Sequence, residues 1–233
     1  MTKAINSVIV YVTNKCNLSC DYCYVDKNKK IMDYETGKAV VDFLIEKSKK
    51  RKVLKLTFFG GEPLLNFNLI KKIVNYSDKK GKKNYKKFNY YITTNGSFFN
   101  EEVINFFFEH DFSMLLSWDG TKERIIEVKG KEAYEKMLWS VKKLSEKGYN
   151  LHSKITVPPQ GINVSGAIKE ANKAGIGRVS IAPQFGTDEW TQKKMDDVYF
   201  EFSEYFIEKA KQGEIINDLI VWSKLRIKMG LEP

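Results

Sequence analysis

The sequence predicts an α/β fold, a partial (β/α)6 barrel with parallel strands. Three observations predict it. Strand and helix periodicities alternate along the 233 residues. The strand segments are short and rich in Val, Ile, Phe and Tyr, as buried parallel strands are. Small, polar or turn-forming clusters sit at the same end of every strand, where the loops of parallel β/α folds build their sites. Six units with short connections imply right-handed crossovers. They are too few for a closed eight-stranded barrel but enough for a curved partial one. A doubly wound open sheet shares this periodicity and stands as the structural alternative.

The first strand is expected at 5–13. The N-terminus MTKAINSVIVYV carries one lysine and lacks the small-residue cleavage site of a signal peptide. The loop CNLSCDYCY, residues 16 to 24, follows and holds every cysteine of the chain: Cys16, Cys20 and Cys23. A helix over 33–50 places Val40, Phe43 and Leu44 on one face. Strand 53–59 runs into FGGEPLL, and helix 66–80 buries Leu69, Ile70, Ile73 and Val74. Strand 88–93 runs into TTNG. Helix 100–109 faces inward with Val103, Ile104, Phe107 and Phe108. Strand 113–118 runs into SWDG, and helix 131–147 closes at Gly148. Strand 153–157 ends in VPP, and helix 163–174 ends at Gly175. Strand 178–182 ends in AP. Helix 192–212 turns Val198, Phe202, Tyr205 and Phe206 inward, and 214–229 is a candidate further helix. No linker, repeat or low-complexity tract interrupts the pattern, so one domain over 1–233 is expected.

Hydrophobic residues make up 42% of the chain, enough for a sizeable core. No apolar run reaches the length of a membrane span, and a cytoplasmic location is expected. The net charge of +10 comes mostly from lysine runs such as KSKKRK (47–52) and KKGKKNYKK (79–87). They lie at helix ends and loops without interleaved aromatics. A solvated surface explains them better than a nucleic-acid footprint, which is kept as a lesser alternative.

Three clustered cysteines are an odd number and make no disulfide framework. Structural zinc takes four ligands, and the two histidines, His110 and His152, are remote in sequence. Inert buried cysteines are out of place in a loop with Asn and Asp. An iron–sulfur cluster suits the thiolates. With three cysteines, one iron of a [4Fe–4S] cube lacks a protein ligand, and an open metal position is where chemistry happens.

CNLSCDYC resembles the CX3CX2C signature of the radical S-adenosylmethionine (radical SAM) enzymes, including the aromatic Tyr22 before the last cysteine. FGGEP resembles the family's glycine-rich motif, TTNG and SWDG its third- and fourth-strand motifs, and GIGRVSIAP its sixth-strand region. The set looks most like the peptide- and protein-modifying branch, which includes anaerobic sulfatase-maturating enzymes and ribosomal-peptide maturases.

The resemblance implies that Cys16, Cys20 and Cys23 ligate three irons of a [4Fe–4S] cluster, with S-adenosylmethionine (AdoMet) on the fourth. One-electron reduction, by a donor such as flavodoxin or ferredoxin, would cleave AdoMet to a 5′-deoxyadenosyl radical. That radical would take hydrogen from a peptide or protein substrate. Gly60 and Gly61 would let the backbone approach the methionyl amine. Glu62 would offset its charge, and Pro63 would stiffen the turn. Asn95 and Ser117 would hydrogen-bond the ribose or carboxylate, Tyr22 would pack about the cluster and adenine, and Ile181 would lie near the adenine. Asp119 and Gly120 would shape a turn. A basic residue is expected to pair the methionyl carboxylate; TKERIIEVKGKEAY offers Arg124 or Lys129, with Lys129 preferred. One departure is plain: no cysteine follows Cys23, so the auxiliary clusters of those maturases have no ligands here. Alternatives are a glycyl-radical activating enzyme, an RNA-modifying enzyme, and a cluster-binding module that needs a partner.

Overall fold

The structure is a computed structural model and describes residues 4–26, 28 and 30–212. Its strands are β1 (Ser7–Thr13), β2 (Val53–Gly60), β3 (Lys87–Thr94), β4 (Ser113–Ser117), β5 (His152–Val157) and β6 (Arg178–Pro183). Its helices are α1 (Tyr34–Lys47), α2 (Phe67–Lys83), α3 (Glu101–Glu109), α4 (Lys122–Lys129), α5 (Lys131–Glu146), α6 (Val164–Ala174) and α7 (Gln192–Lys211). A short 3-10 turn, Pro63–Asn66, leads into α2.

All six strands lie in one parallel sheet in the order β1-β2-β3-β4-β5-β6. That order decides between the two architectures. A doubly wound sheet reverses strand order part-way and carries helices on both faces. Sequential order with crossovers of one hand keeps the helices on one face, which is a partial barrel.

Burial alternates along the strands accordingly. In β2, Leu54, Leu56 and Phe58 are buried against the helices, whereas Lys55, Thr57 and Phe59 face the concave side. The core thus lies between sheet and helices. Phe107 of α3 and Phe112 before β4 stack at 4.2 Å within it, and aromatic pairs add to what their area contributes.

Local signals set the helix ends. Asp33 caps α1 by accepting the Thr36 N–H at 2.7 Å. Gly148 and Gly175 follow α5 and α6 with φ of +81° and +103°, a conformation a side chain disfavours. The helix α4 was not expected; its KERIIEVK has too short an apolar stripe to be recognised by period. The candidate helix at 214–229 lies outside the described residues. No helix among them is long and apolar enough to cross a membrane.

Candidate functional site

A cavity of about 170 Å³ opens at the C-terminal ends of the strands. Cys16, Cys20 and Cys23 line it from the loop after β1, together with Tyr22 and Tyr24. The opposite walls carry Gly60 and Gly61 at the end of β2, Thr94 and Asn95 at the end of β3, and Ser117 from β4. Lys129 from α4 and Lys154 and Thr156 from β5 complete it, with Ala182, Pro183 and Phe185 from β6 and its loop. Of the expected cofactor residues, Tyr22, Gly60, Gly61, Asn95, Ser117 and Lys129 are brought together here. Glu62, Pro63 and Ile181 are not in the wall.

The cysteine loop is held by its backbone. The Gly61 N–H donates to Thr13 O, and the Glu62 N–H to Lys15 O, each at 2.8 Å. A Cβ on Gly60 would come within 2.0 Å of Thr13 O, and one on Gly61 within 2.2 Å of Lys15 O. The close passage of the cysteine loop by itself requires glycine at both positions. Gly60 also has φ +144°, which a side chain rarely adopts.

Glu62 lies behind the cavity wall. Its carboxylate is fully buried and accepts from the Leu64 N–H at 3.0 Å, the Thr94 hydroxyl at 2.8 Å and the Asn95 N–H at 2.8 Å. It ties the loop after β2 to the end of β3. Burial pushes its pKa up, against the pull of these donors and the Lys129 charge. Pro63 is buried as the first residue of the 3-10 turn that Glu62 caps.

Asn95 reaches the cavity, but its amide serves the protein. Its Nδ2 donates to Asn17 Oδ1 at 2.9 Å and approaches Cys16 Sγ at 3.9 Å, and its Oδ1 accepts from the Ser97 N–H and hydroxyl. It therefore anchors the cysteine loop across the sheet. Ile181 points the other way, into the core, because alternation along β6 gives the cavity to Ala182.

Of the two candidate cations, Lys129 lines the cavity and Arg124 does not. The Lys129 side chain is 1% exposed; its Nζ meets Asp119 Oδ2 at 2.8 Å and donates to Ser117 O. Asp119 thus does more than shape a turn: it supplies a buried counter-charge, while Gly120 makes the turn at φ +141°. Beside this pair, burial and the Asp119 charge push the Tyr22 hydroxyl far above its ordinary pKa, so it stays a neutral donor. Burial also raises the Cys20 thiol, against the opposing charge of Lys129.

The donor set fits an iron–sulfur cube. All three cysteines are outside any disulfide and partly exposed on one cavity wall. Among the described residues no three His, Cys, Asp or Glu side chains converge where a single ion could sit. A cube gives each thiolate its own iron, so its ligands spread around a face and need not converge on one point.

The sequence reading missed Lys154, Thr156 and Phe185. For the first two the signal was present: residues alternating with buried Ile155 and Val157 must face the concave side.

Comparison with known proteins agrees with this geometry. An uncharacterized protein of Methanocaldococcus jannaschii is 42% identical over 123 residues, covering 52% of this chain and 41% of that protein. A cysteine-type anaerobic sulfatase-maturating enzyme of Clostridium novyi is 30% identical over 128 residues, covering 52% and 34%. The chain thus spans less than half the length of these relatives. The solved structure of native anSMEcpe with bound AdoMet and Cp18Cys peptide superposes with a TM-score of 0.80 at 19% identity, over 92% of this chain and 63% of that one. At that identity the likeness establishes the fold. The sequence model of the Radical SAM superfamily matches residues 10–163, from within β1 to the N-cap of α6, and the chain belongs to that superfamily.

Proposed function

We propose that this chain is the core of a radical SAM enzyme that modifies a peptide or protein. One observation carries the reading: three cysteines of one loop share a cavity with the ends of β2, β3 and β4. In this reading Cys16, Cys20 and Cys23 hold a [4Fe–4S] cluster, and AdoMet occupies the remaining cavity. When bound, cluster and cofactor supply reductive cleavage and a 5′-deoxyadenosyl radical that takes hydrogen from a substrate carbon.

The chain's own residues orient and enclose. Gly60 and Gly61 bring backbone to the cavity wall. Glu62 and Asn95 act as positioning residues, fixing the loops that present the thiols. Lys129 offers positive charge near Cys20 for the methionyl carboxylate. Tyr22 fills space beside the cluster and stays protonated.

The peptide class draws support from the sulfatase-maturating relative and from the peptide bound in anSMEcpe. The test is anaerobic reconstitution with iron and sulfide, then electron paramagnetic resonance of the reduced protein with and without AdoMet. A signal that shifts on adding AdoMet, with 5′-deoxyadenosine formed under dithionite, is expected. A full cluster whose signal ignores AdoMet would sink the enzyme reading and favour a cluster-binding module.

A further inference from the structure

Two lysines line the cavity, and they differ. Lys129 is paired with Asp119, and its charge bears on Cys20 and Glu62. Lys154 has no ion-pair partner among the described residues. Lys129 is thus committed to a buried ion pair, whereas Lys154 stands on the β5 wall of the same cavity.

The strands around Lys154 supply no carboxylate. In register it stands between Ser117 of β4 and Ser180 of β6. None of the six strands contains an aspartate or glutamate, whereas Lys55 of β2 and Lys154 of β5 both fall on the concave side. The strands themselves thus offer Lys154 no counter-charge. A half-buried ammonium is partly desolvated, and an anion brought to it gains a charge-assisted hydrogen bond.

In the proposed function the methionyl carboxylate is assigned to Lys129. With that assignment, the substrate is the remaining source of an anion for Lys154. One unpaired ammonium balances a single carboxylate, whereas a phosphate monoester carries about −1.5 to −2 and calls for more donors. We infer that Lys154 is the specificity determinant of this site, receiving the side-chain carboxylate of an aspartate or glutamate in the substrate peptide. The inference rests on the peptide-modifying reading and narrows it to acidic sequences.

The experiment uses reconstituted holoprotein and three fluorescein-labelled pools of short peptides. The pools share random neutral residues around one fixed glutamate, glutamine or lysine. Binding is read by anisotropy in the presence of AdoMet, and turnover by 5′-deoxyadenosine. Wild type should bind the glutamate pool about tenfold more tightly than the glutamine pool. Lys154→Met should abolish that preference, and Lys154→Glu should turn it toward the lysine pool. Iron content equal to wild type shows that a variant is folded. The same order of pools in all three proteins overturns the inference. So does a tenfold loss of AdoMet affinity in Lys154→Met with the order unchanged, which would assign Lys154 to the methionyl carboxylate. Charge-dependent binding that never stimulates 5′-deoxyadenosine supports the carboxylate recognition and counts instead against the peptide-modifying reading.

Discussion

Glu62 accepts the backbone N–H of Asn95 at 2.8 Å, so the glycine-rich turn after β2 and the TTNG turn after β3 move as one piece. The carboxylate has no solvent contact, and its other oxygen is taken by Leu64 and Thr94. In Glu62→Gln one donor must face the NH2 group instead of an oxygen, a loss of about 1–3 kcal/mol for an unsatisfied buried group. The sign with pH follows from the raised pKa. A carboxyl that binds its proton more tightly when folded contributes most below its unfolded pKa. That contribution is lost as pH rises through the folded value. The wild type's advantage over Glu62→Gln should therefore be largest in acid and shrink with rising pH. Urea unfolding of the two apoproteins across the acid range checks it; a gap that widens with pH would contradict the assignment.

Lys129 and Asp119 form an ion pair with side chains 1% and 0% exposed. Removing one partner of such a pair leaves a buried charge and costs about 3–5 kcal/mol, while the pair itself adds little over an apolar replacement. Lys129→Met should be strongly destabilised, and Lys129→Met with Asp119→Asn should recover part of the loss. A double-mutant cycle on unfolding midpoints measures the coupling. Additive effects would show that the two charges do not depend on each other.

The contrast between these residues shows what sequence could and could not reveal. The six strands and the turns that follow them were legible because alternation and turn chemistry are local. The grouping of Cys16, Cys20 and Cys23 on one cavity wall was legible because all three fall within one short loop. The role of Glu62 was not, because its partners Thr94 and Asn95 come from another strand, and only the β2–β3 register brings them within reach. Asn95 was hidden for the same reason, since its amide serves a loop 78 residues away. Lys154 was visible as a charge within an alternating strand. What made it informative was a neighbourhood with no acid, which the fold alone assembles.

Gly61→Ala should disable cluster binding without unfolding the barrel. Its Cβ would meet Lys15 O at 2.2 Å and Asn14 O at 2.6 Å, both backbone atoms of the stretch entering the cysteine loop. That contact must be relieved by moving the loop. Gly177→Ala is the control, since the nearest atom to its Cβ lies 3.9 Å away. Iron bound per chain should fall severalfold in Gly61→Ala and stay at the wild-type level in Gly177→Ala. Equal iron in both would mean that the loop position does not set the ligand geometry.

With three cysteines in the sequence, reconstituted protein should hold about four irons and four sulfides per chain. Roughly eight irons in a monodisperse monomer would mean that ligands other than cysteine build a second cluster.

Tyr24 of the cysteine loop and Phe185 of the loop after β6 meet edge to face at 6.3 Å. They join the two ends of an open sheet across the mouth of the cavity, since β1 and β6 are its edge strands. Both rings line the cavity and both are more than half exposed. They are thus positioned to screen the thiol loop from solvent while leaving a path for substrate. Excluding water and oxidants is what protects reactive centres of this kind. Phe185→Ala removes one side of the contact without touching a cysteine or the Glu62 network. The variant should assemble as much cluster as wild type under anaerobic conditions. On exposure to air, it should lose its visible absorption several times faster. The comparison is a bleaching time course for the two reconstituted proteins at matched iron content. Equal bleaching rates would show that the Tyr24–Phe185 contact shields nothing. Low iron in the variant at the outset would instead give Phe185 a part in building the cysteine loop.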